Sequence, residues 1–136
     1  MNWKKFIIAV IVGFVALLVM DLIIHGVILC DTYESLSGTV FRAETDMKTW
    51  AMYIGTFIFA LLFVWLYTFG VKGKGVMEGF RYGVYIGLFY SVTSSLYMWA
   101  SMPIPASMAW LWAIIGLIEM IILGLIVGAI YKTPRA

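Results

Sequence analysis

The run Phe6-Ile-Ile-Ala-Val-Ile-Val-Gly-Phe-Val-Ala-Leu-Leu-Val-Met-Asp21-Leu-Ile-Ile-His25-Gly-Val-Ile-Leu-Cys30 decides the fold. It exceeds the ~20 apolar residues that carry a helix across a bilayer. Its basic start, Lys4-Lys5, imitates a secretion signal. The apolar part is too long for a signal core of roughly 7–15 residues, and no small-x-small cleavage site ends it. Val27-Ile-Leu-Cys30 is a poor lipoprotein box, because Leu29 stands where a small residue is required. The run therefore reads as an uncleaved first spanning helix. Within it, Asp21 and His25 are four residues apart and share one helix face. An ionisable pair in hydrocarbon is costly, must face protein or a water-filled cavity, and marks a functional site by default.

Working outward, similar runs recur to the end of the chain. Of 136 residues, 64% are hydrophobic and 12% charged, against about 25% charged in a soluble domain. Too few polar side chains remain to cover a water-exposed surface, and the runs are continuous rather than alternating, so strands are not expected. The expected fold is all-α: one membrane domain, a four-transmembrane-helix bundle spanning 6–30, 50–70, 81–102 and 106–131. Trp50, Trp65 and Tyr67 suit interfacial belts, and Pro105 suits a helix start. The polar segment 31–49 is expected as an external loop, lying on the membrane surface or capping the Asp21/His25 site. Glu44 and Lys48 have helical ion-pair spacing, which predicts a short helical lead-in over Ala43–Thr49.

Lys4, Lys5, Lys72, Lys74, Arg81, Lys132 and Arg135 fall on one side of this scheme and Arg42 and Lys48 on the other. The positive-inside rule then puts both termini in the cytoplasm (N-in/C-in) and the chain in the inner membrane. The expected partners are the lipid bilayer and a homo-oligomer or larger membrane complex. A net charge of +2 gives no reason to expect nucleic acid, and a single cysteine forms no internal disulfide.

Small residues stripe two helices: Gly79, Gly83, Gly87, Ser91 and Ser95 on the third span, and Gly116, Gly124 and Gly128 on the fourth. Such stripes bring backbones close in a bilayer, within one chain as a hairpin or between chains as a dimer. With Arg81 and Tyr131 taken as level, Gly83 is expected to meet Gly128, Gly87 to meet Gly124, and Ser95 to meet Gly116. Asp21 lies roughly 22 Å above the inner border and Glu119 roughly 18 Å, with Ser94 and Thr56 near 20 Å. All four spans thus place a polar side chain in one layer.

Two carboxyls and an imidazole there could share a proton, bind a small cation, or ligate a metal. Haem would rest on His25 alone. No nucleophile–base pair, phosphate loop or dinucleotide fingerprint is present, and the tyrosines and methionines read as packing and belt residues. Hydrogen bonding that merely fixes the bundle is the plain alternative.

Asp21-Leu-Ile-Ile-His-Gly-Val-Ile-Leu29, Tyr33 with Phe41-Arg42-Ala-Glu44, and Glu78-Gly-Phe-Arg-Tyr-Gly83 resemble segments of small uncharacterised bacterial four-helix membrane proteins. That resemblance covers most of the chain and implies no activity. The small multidrug exporters differ, having an essential glutamate in the first span where this chain has Asp21. The leading expectation is binding or transport of protons or a small cation at Asp21, His25 and Glu119. An accessory subunit of a membrane complex is the rival, and an enzyme the third reading.

Overall fold

The computed structural model describes residues 2–70 and 72–132. Among them the chain forms helices α1 (Trp3–Ile23), α2 (Cys30–Leu36), α3 (Thr49–Gly70), α4 (Val76–Gly87), α5 (Thr93–Ser101) and α6 (Ala106–Tyr131), and no strand. The Asn2 side chain caps α1 by accepting from Lys5 N. α1 continues through a π-helical turn, Ile24–Ile28, before Leu29 leaves helical geometry. A second π turn, Leu88–Val92, joins α4 to α5, so Val76–Ser101 is helical without a break. The start at Val76 rather than Arg81 has a local cause. Both carboxylate oxygens of Glu78 accept backbone N–H groups, from Lys72 and Lys74, and tie the glycine-rich turn to the first helical turn.

Three stretches, Trp3–Ile28, Thr49–Gly70 and Ala106–Tyr131, are long and apolar enough to cross a membrane. Only 28%, 22% and 33% of their apolar windows is buried inside the protein, so most of these side chains face outward. Exposed apolar surface of that extent suits hydrocarbon and not water. Val76–Ser101 is more polar and is held by close packing instead. α4 and α6 form the most extensive helix pair, α6 also packs on α1 and α5, and α3 lies chiefly against α1.

The α4–α6 contact is backbone on backbone. A Cβ at Gly79 would overlap the Gly124 carbonyl, and one at Gly83 the Met120 carbonyl. Gly128 faces Gly75 and Gly79, Gly87 faces Leu117 and Met120, and Gly116 faces Ser91. The stripes thus pair within the chain, one turn away from the register that levelling Arg81 with Tyr131 predicts. α4 begins a turn before Arg81, which moves every partner along α6 by that amount.

Two apolar cores sit at different heights along α6. The larger joins Phe6, Val10 and Leu17 of α1 to Phe63 and Val64 of α3 and to Leu123 and Val127 of α6. The smaller is Ile104, Met108 and Ala109, with Tyr33, Phe41 and Trp112 packed against them. The first half of segment 31–49 therefore folds onto the α5–α6 corner. In its second half the anticipated helical lead-in is only a 3₁₀ turn, Glu44–Asp46, before α3 starts at Thr49. At the far end of the bundle Lys5 Nζ donates to Lys132 O at 3.1 Å, placing the start of α1 beside the end of α6.

Candidate functional site

Between the two cores the helices leave a cavity of about 630 Å³. Asp21 and His25 line it from the first helix, Glu119 from α6, and Ser91, Ser94 and Ser95 from the second π turn and α5. Tyr33 and Trp112 close one end, and Ile24, Met52, Tyr90, Met98, Ile115, Gly116 and Met120 complete the wall. Asp21, His25, Glu119 and Ser94 are thus brought together. Thr56 is not: its hydroxyl donates to Met52 O of its own helix at 3.0 Å, and α3 presents Met52 to the cavity instead.

Both π turns border this space, one through Ile24 and His25, the other through Tyr90 and Ser91. A π turn disturbs the regular i→i−4 ladder and recurs at functional sites. Hydroxyls attend to the carbonyls around the second turn: Thr93 Oγ1 bonds Phe89 O, and Ser95 Oγ donates to Ser91 O at 2.7 Å. Ser94 Oγ donates to the same carbonyl at 3.3 Å.

His25 sits in a directed chain of hydrogen bonds. Trp112 Nε1–H can only donate, and it reaches Tyr33 Oη at 2.8 Å. The Tyr33 hydroxyl lies 2.7 Å from His25 Nδ1. Burial pushes the Tyr33 phenol up to about 12, the Trp112 hydrogen bond pulling the other way and Asp21 adding to the rise. It is therefore a donor at ordinary pH. Donation to Nδ1 leaves the neutral imidazole proton on Nε2, which faces Asp21 Oδ1 at 3.9 Å. That separation exceeds a hydrogen bond, so the Nε2 proton faces the Asp21 carboxyl without being bonded to it. Ring packing holds Tyr33 in place: Trp112 stacks on it at 6.3 Å between centroids, and Phe41 meets it edge-on at 5.4 Å.

Glu119 lines the same cavity as Asp21, from α6. Its Oε1 is buried without a hydrogen-bond partner among the described residues. A buried carboxyl oxygen in that condition calls for a proton or a ligand. Among the described residues no three His, Cys, Asp or Glu side chains gather closely enough to hold a metal ion.

Sequence reasoning offers neither Tyr33 nor Trp112 as a candidate for the site. The available signal was the apolar character of Tyr33, Leu36, Val40 and Phe41 inside a segment read as polar. Comparison of the chain with protein families, with curated proteins and with solved structures finds no match.

Proposed function

We propose that this is a multi-pass inner-membrane protein of the small bacterial four-helix type, which binds and exchanges protons or a small cation at Asp21, His25 and Glu119. One observation carries the reading: three ionisable side chains from two membrane-length helices converge on a single cavity. As Tyr33 passes its proton to Nδ1 it takes up another from the water outside, and the imidazolium so formed releases the Nε2 proton towards Asp21. The cavity then connects Asp21 with Glu119.

Parity supports four crossings. The start of α1 and the end of α6 lie at the same end of the bundle, which requires an even number, and Val76–Ser101 supplies the fourth. Basic residues around that end favour N-in/C-in.

The test is proton flux in sealed vesicles carrying the full-length protein and an internal pH-sensitive dye. Wild type should dissipate an imposed pH gradient, and Glu119→Gln and Asp21→Asn should each slow it about tenfold or more. Wild-type vesicles no leakier than empty ones, both without a counter-cation and with Na⁺, K⁺ or an organic ammonium ion supplied on the opposite side, would refute the proposal. The accessory-subunit reading draws on the exposed aromatic row Tyr85, Phe89 and Tyr97 along α4–α5. A stoichiometric partner that co-purifies and is lost on Phe89→Ser would favour it.

A further inference from the structure

We propose that the cavity receives an organic ammonium ion, a small amine bearing a hydrocarbon or aromatic group, in exchange for a proton. This rests on the exchange reading above and names its cation.

Size is the first argument. A water occupies roughly 30 Å³, and a bare small cation needs no more than a few such volumes. The cavity offers about 630 Å³, within the roughly 300–1,000 Å³ typical of small organic ligands. Charge is the second. Two carboxyls and one imidazole line the space, with no Lys or Arg, so the wall favours a cation and repels a carboxylate or phosphate.

Hydrogen bonding sharpens the choice. The Trp112 N–H is taken by Tyr33, the Tyr33 hydroxyl by His25, and the Ser94 and Ser95 hydroxyls by Ser91 O. The Tyr33, Ser94 and Ser95 oxygens still offer acceptor lone pairs, and Glu119 Oε1 is a buried acceptor without a partner among the described residues. A ligand that brings N–H donors matches this wall. Much of the remaining surface is apolar: Met52, Met98 and Met120 adapt to varied shapes, and Tyr90 and Trp112 add aromatic side chains of the kind that attract a cation. A metal ion makes little use of such walls, and no cluster of three ligands is present for one among the described residues.

The exchange balances without covalent change. R–NH₃⁺ enters and donates to the Glu119 carboxylate, and the proton that Glu119 carried leaves through the Asp21–His25–Tyr33 side. One positive charge enters for each that departs.

The test is calorimetric titration of the full-length protein in detergent micelles at neutral pH. The probes are 2-phenylethylammonium, the neutral 2-phenylethanol and the anionic phenylacetate. The amine should bind saturably, about tenfold or more tighter than the alcohol, and phenylacetate should not bind. Buffers of different ionisation enthalpy should report release of about one proton per amine. Glu119→Gln should weaken the amine about tenfold or more, and Glu119→Asp, which keeps the charge, should restore part of the loss. Equal binding of amine and alcohol would overturn the inference, as would amine binding unchanged in a Glu119→Gln protein of normal helicity. Vesicles that pass protons through Glu119 while the protein binds no amine would overturn it and leave the exchange reading standing. Amine binding at Glu119 without proton flux would support the ligand class and overturn the exchange reading.

Discussion

At the scale of single residues, Tyr33 connects what the apolar runs keep apart. Its oxygen accepts from Trp112 and its proton goes to His25, so it fixes which imidazole nitrogen faces Asp21. Tyr33→Phe keeps the ring packing and removes both hydrogen bonds. The His25 tautomer should then become mixed, seen as Nδ1 and Nε2 ¹⁵N shifts that draw together, where wild type keeps the protonated and unprotonated nitrogens well apart. Trp112→Phe should leave the Tyr33–His25 bond in place and shift the phenol only modestly. The raised phenol also has a stability consequence. The neutral form is favoured in the folded state, so its contribution is complete below the ordinary value of 10.0 and is lost as pH rises towards about 12. Tyr33→Phe should flatten the loss of stability over that interval, followed by circular dichroism. Asp21, His25 and Glu119 were legible in the sequence because an ionisable group inside an apolar run has few bland explanations. Tyr33 and Trp112 were not, since an aromatic near a helix end is ordinary in a membrane protein.

At the scale of elements, the α4–α6 seam sets the tolerance to substitution. Gly79 and Gly83 meet backbone atoms of α6, whereas an added methyl at Gly13 would meet only the tip of the Leu123 side chain. Gly83→Ala should therefore destabilise by about 2 kcal/mol or more, because two backbones must part. Gly13→Ala should cost less, and Gly55→Ala, with nothing within 4 Å of the new atom, should gain about 0.5–1 kcal/mol from helix propensity. Denaturation in mixed micelles of rising SDS content would rank the three. The stripes could be read from spacing alone, but their register could not, because the Glu78 carboxylate moves the start of α4 by a turn. The α6 limits were legible from Pro105 and Lys132. The π turns were not, since no residue type announces a wide helical turn.

At the scale of the whole molecule, composition made the all-helical, membrane-length character plain, while the inward fold of the segment after α1 depended on distant contacts with α6. The proposed orientation predicts that reporter fusions after Gly70 report from the cytoplasm and a fusion at Gly38 from outside. The reverse pattern would invert the bundle. The central place of α6 also has a consequence in time. Ribosomes make it after every other helix described, yet α1, α4 and α5 all pack on it and Glu119 belongs to it. Until it emerges, the newborn chain holds Asp21 and His25 without their opposite wall, and the α4 glycine face lies uncovered. Assembly must wait until α6 has been made. A chain halted at Ser101 should be degraded rapidly in the cell, and supplying residues 102–136 as a separate polypeptide should protect it.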